Sequence, residues 1–248
     1  MQWNALLVLV LAVSATLWLE RRVHRQLQQL LLALTRNITL ATTLYALVLL
    51  PGVALHELSH ALVARLLKVR VRNISLRPER LRGGVVRFGY VEVQRSDDVR
   101  AALIGLAPLG VGVSALALIG ARVFGLEQAW HAIAQATDPT AAVLALVRWS
   151  GALLQAPDAW LWLYVAFAVA NTMLPSESDL RPWSSNPVVM SLIIGAVALA
   201  LNAWLALPLA YWLALLFGFT ALVNGVVLTA LMLLTRLFSA SANVGPLA

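Results

Sequence analysis

Long apolar runs separated by short polar stretches dominate the pattern along the chain. A helix needs about 20 mostly apolar residues to cross the hydrocarbon core of a membrane, and six segments approach or meet that requirement. They are Gln2–Leu19, Ile38–Leu67, Ala101–Phe124, Ala159–Leu174, Pro187–Leu207 and Leu209–Leu234. The pattern therefore predicts an all-α polytopic membrane protein with about six transmembrane helices.

The N-terminal segments differ in polarity. Gln2–Leu19 has no basic residue before its apolar run and no small-residue cleavage site, so we expect a retained anchor and not a signal peptide. Glu20–Asn37 carries four Arg beside a face rich in Leu and Gln. That pattern is typical of an amphipathic helix lying at the membrane interface.

The connection between the second and third spans has a different periodicity. In Val69–Arg95, apolar residues such as Val71 and Val93 alternate with polar neighbours, and Gly83-Gly84 stands between the two halves. Alternation around a glycine turn favours two short strands. We expect a small membrane-associated β-hairpin or sheet there.

Composition supports a membrane location and limits the chemistry. The chain is 61% apolar and 12% charged, whereas a soluble domain has about 45–50% apolar and about 25% charged residues. Most of the chain should therefore face lipid. It has no cysteine, which excludes disulfides, thiolate metal sites and cysteine nucleophiles. Any metal must be held by histidine and carboxylate side chains.

The charge is basic, with 18 Lys+Arg against 11 Asp+Glu. In a membrane protein this excess indicates cytoplasmic loops beside anionic lipid and not a nucleic-acid partner. Nine Lys/Arg lie in Lys68–Arg100, so we expect that segment to be cytoplasmic. With six spans both termini are then cytoplasmic as well, although the four Arg of Glu20–Asn37 argue for the opposite orientation.

The second span contains the most distinctive cluster of polar residues, His56-Glu57-Leu58-Ser59-His60. Histidines at i and i+4 share one face of a helix, which is the spacing of two ligands to one zinc ion, and Glu57 is placed to act on a metal-bound water. Ionisable groups inside a span are costly and usually functional. The alternative is a pair of structural histidines bonded by neighbouring helices, which would need no Glu between them.

Two histidines leave a catalytic zinc site incomplete, because such sites usually have three protein ligands and an open position. His24 and His131 lie in loops that we place on the opposite side of the membrane. Among carboxylates, Asp179 follows the fourth span on the same predicted side as the histidines, and its Pro-rich segment could fold back beside them. Glu177 is the competing ligand.

Taken together, these residues resemble the site-2 protease family of intramembrane zinc metalloproteases. Four features match in order: the HExxH motif of His56–His60, the basic β-patterned segment Val69–Arg95, the small-residue motif Ala107–Gly112, and Asn171 eight residues before Asp179. The first motif is specific, the last moderately so, and the other two are weak alone.

The match covers about Leu40–Trp183 and shows three departures. Leu180 follows Asp179 where the family usually has Gly, and Pro175 comes one residue later than usual after Asn171. The segment Gly125–Asp158 is too short for a PDZ domain, so the likeness is to the compact form of the family.

The resemblance implies peptide hydrolysis within or near the transmembrane segment of a protein substrate. One Zn²⁺ would be held by His56, His60 and Asp179, with Glu57 as general base. Asn171 would help to hold the substrate backbone, and the substrate would add to an edge strand of the β-segment. We expect a multi-pass protein of a prokaryotic cytoplasmic membrane whose active site opens to the cytoplasm.

The domain organisation follows from these assignments. Residues 1–37 would form the first span and the interfacial helix, and residues 38–183 the catalytic core with the β-segment 69–95 and an extracytoplasmic loop 125–158. Residues 184–248 would supply two further spans. Asn202 and Asn224 in those spans are expected to make interhelical hydrogen bonds.

Two alternatives remain open at this point. One is a different metalloprotease architecture, in which Glu127 or Glu177 is the third ligand of the HExxH helix. The other is a non-proteolytic metal-binding scaffold or transporter. Transporters commonly show internal repeats, and none is visible in this sequence.

Overall fold

The computed structural model describes residues 2–76, 79–80, 86–136, 138–155, 157–185, 191 and 206–241. Within these ranges we distinguish eight helices and four short strands. In chain order they are α1 (Gln2–Thr35), α2 (Ile38–Leu66), β1 (Val71–Ser75), β2 (Glu79–Arg80), β3 (Val86–Arg87), β4 (Tyr90–Val93), α3 (Asp98–Arg122), α4 (Leu126–Ala134), α5 (Pro139–Gln155), α6 (Ala159–Ala170), α7 (Glu177–Ser185) and α8 (Ala206–Ser241).

Three helices in the described part of the chain are long and apolar enough to cross a membrane: α2, α3 and Trp212–Phe238 within α8. A fourth span results if α5 and α6, which meet at 105°, are counted as one broken span. The 12 residues of α6 extend only about 18 Å, too short to cross alone. These long apolar helices indicate a membrane protein. The predicted number of six spans is not confirmed. Most of the predicted fifth span lies outside the described residues.

The first helix is longer than the sequence pattern predicted. It continues through Thr35, because nothing between Leu19 and Thr35 breaks a helix: this stretch has neither Gly nor Pro. Its second half, predicted to lie at the interface, buries Val23, Leu27 and Leu30 in a cluster with residues of α2, α6 and α8. The apolar side of this amphipathic segment therefore packs against protein.

The remaining helix boundaries either agree with the sequence pattern or differ from it because of individual residues at the helix ends. Asn37 caps α2 by accepting from the backbone N–H groups of Thr39 and Leu40, and Asp97 caps α3 through the N–H of Arg100. Pro208 stands between the predicted spans Pro187–Leu207 and Leu209–Leu234, but it lies in the first turn of α8, where proline is tolerated because its missing N–H has no helical partner. The predicted loop 125–158 contains helices α4 and α5.

The predicted β-segment is confirmed as a small antiparallel sheet. Strand β1 pairs with β4, with Ile74 opposite Val91, and an irregularity lies between Val71 and Asn73. Strands β2 and β3 pair separately. The predicted turn at Gly83-Gly84 lies outside the described residues. Since β1 and β4 both contact α2, the sheet is held beside the HExxH helix.

Helix α2 lies against α1, α3 and α6. Its polar residues Glu57, Ser59 and His60 are buried, whereas Leu58, Leu62 and Leu66 are exposed. This division is expected if the exposed face meets lipid, since large exposed leucines would be unfavourable in water. The three buried polar residues face the protein interior, where α3 and the segment after α6 complete a site.

Candidate metal centre

The two histidines of the HExxH motif face each other one turn apart on α2. Their ring centroids are 4.9 Å apart, and the two Nε2 atoms are separated by 3.2 Å. His56 and His60 are 13% and 9% exposed at the side chain. The i,i+4 spacing has thus produced two converging nitrogen atoms in a nearly enclosed place.

Asp179 of helix α7 completes the group that the two histidines of α2 begin. Its Oδ1 lies 3.4 Å from Nε2 of His60 and its Oδ2 lies 3.6 Å from Nε2 of His56. Four-coordinate zinc has bonds of about 2.0–2.2 Å to such ligands, so tetrahedral ligand atoms stand about 3.3 Å apart. The three separations match that value. Among the described residues, His56, His60 and Asp179 are the group that could hold a metal ion.

Backbone carbonyls fix the orientation of both imidazoles. Nδ1 of His56 lies 2.6 Å from the carbonyl oxygen of Thr172, and Nδ1 of His60 lies 2.8 Å from that of Ile104. A carbonyl oxygen can only accept, so each Nδ1 carries the proton and donates. The lone pair of each neutral ring is then on Nε2, which is the arrangement that metal-bound histidines adopt.

This hydrogen bonding makes the cluster a candidate site for a cation. With both Nδ1 atoms protonated, the Nε2 lone pairs of His56 and His60 point towards each other and towards the Asp179 carboxylate. The two nitrogen atoms and the two carboxylate oxygens, at separations of 3.2–3.6 Å, repel unless a proton or a metal ion lies among them. Nitrogen and oxygen donors without thiolate are suited to zinc and related divalent ions.

Helix α7, which positions Asp179, was not predicted. Ser176 precedes the helix, and its backbone N–H and hydroxyl both donate to Oδ2 of Asp179. The pair Ser176-x-x-Asp179 forms a capping box, a signal that is readable in the sequence. Burial raises the pKa of Asp179, but the interaction with His56 and the hydrogen bonds from Ser176 outweigh it and hold that pKa below its ordinary value.

Two glycines that the sequence pattern did not single out allow the close packing that forms the site. A Cβ on Gly105 of α3 would overlap the carbonyl oxygen of Asp179, and one on Gly52 of α2 would overlap that of Ala168 in α6. Both positions therefore require a residue without a side chain. They bring the segment carrying Thr172 and Asp179 close enough to α2 and α3 for its groups to reach the histidines.

Glu57 lies beside the cluster in a cavity of about 1010 Å³ that His56, His60 and Asp179 also line. Its side chain is buried. Gly89, directly before β4, packs on it: a Cβ on Gly89 would lie 2.9 Å from Cγ and 3.1 Å from Oε1 of Glu57. The residue expected to act on a water and the start of β4 are therefore adjacent.

The structure does not bring Asn171 to the cavity. Its side chain is 2% exposed, and its Nδ2 donates to the carbonyl of Phe167 and to Oδ1 of Asn224 in α8. The interhelical bond expected for Asn224 is thus present, whereas Asn202 lies outside the described residues. What Asn171 contributes to the site is its backbone, which forms the turn before Thr172.

The other candidate ligands lie apart from the cluster. Glu177 is exposed at the start of α7, and Glu127 pairs with His131 at 3.9 Å on the exposed surface of α4. His24 was predicted to lie in a loop, but it belongs to the continuous helix α1 and uses both ring nitrogens in contacts with Tyr45 and Asn171.

The described residues thus join two histidines, one aspartate and one glutamate at a cavity between α2, α3, α7 and β4. These residues come from helix α2 and from helix α7, more than 110 residues later in the chain. No protein-family model, no curated protein and no solved structure matches this chain.

Proposed function

We propose that this protein is an intramembrane zinc metalloprotease of the site-2 type. One observation carries the proposal: a helix long and apolar enough to cross a membrane presents His56, Glu57 and His60 to a cavity at which Asp179 completes a zinc-like donor set. Buried ionisable residues in such a helix are expected to be functional.

His56, His60 and Asp179 would hold one Zn²⁺. When bound by three protein ligands, zinc lowers the pKa of a water in its open position to about 7 and polarises a carbonyl group. The carbonyls of Thr172 and Ile104 keep the two imidazoles in the ligating tautomer, and Ser176 orients the carboxylate. This set of supporting bonds favours a prearranged site.

Glu57 would act as the general base. It follows His56 in the helix and lines the same cavity without being one of the three clustered ligands, so its carboxylate is placed to accept a proton from water. The same carboxyl group would then deliver that proton to the departing amine. Its burial beside Gly89 keeps the carboxylate at the edge of the space that a substrate would enter.

Strand β4 offers a surface for the substrate. Tyr90, Val91 and Val93 line the cavity, and in the described chain β4 pairs with β1 alone. An extended segment could add to the other edge by main-chain hydrogen bonds. Because β4 begins next to Gly89, a segment lying along it would pass Glu57.

The substrate would be a transmembrane protein or peptide that unwinds locally. Inside a bilayer a helix satisfies its own backbone groups, so its peptide bonds are not available for attack. An edge strand provides replacement hydrogen bonds for the unwound segment. Segments with helix-breaking residues should therefore be better substrates than uniformly helical ones.

Metal removal tests the proposed function. We expect the purified protein in detergent or lipid to contain one zinc per chain and to cleave a reporter transmembrane peptide. A chelator should abolish cleavage, and zinc should restore it. Zinc content is measured by mass spectrometry and cleavage by gel. Cleavage that persists after complete zinc removal would contradict the proposal, and stoichiometric zinc without cleavage of any tested substrate would favour a metal-binding scaffold or transporter.

The alternative metalloprotease architecture predicts a different response to carboxylate replacement. Because Glu127 and Glu177 are exposed and apart from the histidines, we expect Glu127→Gln and Glu177→Gln to leave zinc content and cleavage within about twofold of wild type. Metal analysis of both variants in parallel checks this. Loss of zinc from either one would assign the third ligand to it and not to Asp179.

A further inference from the structure

We propose that His24, in the N-terminal helix α1, is a positioning residue for the metal centre. Its imidazole holds the turn that follows α6, and the next carbonyl of that turn orients the ligand His56. The inference rests on the proposed metal site, and it extends that site to a helix that the sequence analysis had separated from the catalytic core.

The contacts of His24 define its hydrogen-bonding state. Nε2 lies 3.0 Å from the carbonyl oxygen of Asn171 and 3.6 Å from Oε1 of Glu20, and Nδ1 lies 2.6 Å from the hydroxyl of Tyr45. Since the carbonyl can only accept, Nε2 carries the proton and donates to it. Nδ1 shares a second hydrogen bond with the Tyr45 hydroxyl. His24 thus joins α1 to α2 and to the turn after α6.

Two consecutive carbonyls of that turn each receive an imidazole N–H. The carbonyl of Asn171 accepts from His24 of α1, and the carbonyl of Thr172 accepts from His56 of α2. The N–H groups of these two residues bond back to α6, at Phe167 and Val169. The N–H groups of the turn are therefore bonded to α6, and its carbonyl groups are bonded to two histidines.

This arrangement makes the orientation of His56 depend on His24. If the Asn171 carbonyl loses its donor, it is left underbonded in a partly buried setting, and the turn gains by rotating towards another partner. Rotation of one peptide group changes the direction of the next carbonyl, which is the one that holds Nδ1 of His56. Groups that orient a metal ligand in this way commonly change metal affinity by 10-fold to 100-fold when they are removed.

Thr16 supplies a matched control on the same helix. It is 2% exposed, and its hydroxyl proton is shared between the carbonyl of Phe217 in α8 and that of Ala12 in its own helix, each at 2.9 Å. Like His24 it provides a buried bond from α1 to a backbone carbonyl of another helix. It does not touch the turn after α6. Thr16→Val should therefore weaken helix packing without changing the metal centre.

The test compares His24→Leu, His24→Gln and Thr16→Val in the full-length protein. We expect His24→Leu to weaken zinc binding about tenfold in competition with a chelating dye. His24→Gln, whose side-chain amide can donate to the same carbonyl, should recover much of that loss, and Thr16→Val should bind zinc as wild type does. A thermal unfolding curve for each variant separates a loss of zinc affinity from a loss of stability.

A second measurement does not require the metal. In metal-free protein, hydrogen–deuterium exchange of a peptide covering residues 171–176 should be faster for His24→Leu and unchanged for Thr16→Val. Equal exchange in both variants, or equal zinc affinity of His24→Leu and wild type, would overturn the inference. If wild type binds no zinc while the exchange difference is present, the proposed function fails and the link from His24 to the turn stands.

Discussion

Replacing Glu57 by glutamine is expected to reduce cleavage of a transmembrane reporter peptide by about 10²–10⁴-fold, the usual contribution of a general base. Glutamine has the same shape and still accepts a hydrogen bond, but it cannot take a proton from water. Because Glu57 is not one of the three clustered ligands, zinc should remain at one ion per chain. Metal analysis and cleavage are measured on the same preparation.

Glu177→Gln is the matched control for that experiment. It makes the same chemical change on an exposed carboxylate two residues from Asp179, outside the clustered ligands, so zinc and cleavage should both be retained. Wild-type cleavage by Glu57→Gln would eliminate Glu57 as the base. If Glu57→Gln lost both zinc and cleavage, Glu57 would instead be assigned a role in holding the metal.

The parts of the site that were predictable are those encoded by local periodicity. The spacing of His56 and His60 within one apolar helix sets their common face whatever the rest of the chain does. Likewise, the alternation in Val69–Arg95 was sufficient to predict paired strands, and β1 and β4 form them. The absence of cysteine directed attention to carboxylates, and the structure brings Asp179 to the histidines.

The parts that were not predictable depend on contacts between distant segments. The carbonyls of Ile104 and Thr172 cannot be recognised from residue identity, since every residue offers a backbone carbonyl, yet they select the tautomer of both histidines. His24 was assigned to the connection between the first two spans, because the basic residues around it indicate a separate interfacial helix there. Its partners Tyr45 and Asn171 are 21 and 147 residues away.

The role of the glycines in α3 also required the structure. The small-residue motif Ala107–Gly112 was noticed for its likeness to a family motif, and its Gly112 does allow Met173 to pack closely. Gly110 of the same motif has no atom within 4 Å of where a Cβ would be. Gly105, which lies outside the motif, packs against the backbone of Asp179, the proposed third ligand. The sequence pattern singles out Gly110 and Gly112 but not Gly105, so only the structure shows which of the three packs against Asp179.

Gly105→Ala is therefore expected to disturb the proposed metal centre, although helix α3 supplies no side-chain ligand to it. The added Cβ would overlap the Asp179 carbonyl oxygen and lie 3.1 Å from its carbon. These are backbone atoms of α7, so the clash is relieved only by moving that helix away from α3 and drawing the carboxylate away from the histidines. We expect zinc affinity to fall by about 10-fold to 100-fold, as for other groups that position a ligand. Overpacking should also cost about 1–3 kcal/mol of stability.

Gly110→Ala separates this effect from a general response of α3 to alanine. The same methyl group is added five residues later on the same helix, where nothing is close enough to collide with it. Alanine is favoured over glycine in a helix, so this variant should unfold no earlier than wild type and should bind zinc and cleave normally. Chelator competition and thermal unfolding of the two variants side by side provide the comparison. If Gly105→Ala retained wild-type zinc affinity, the approach of α7 to α3 would not be what places Asp179, and the carboxylate would have to reach the histidines independently of this packing.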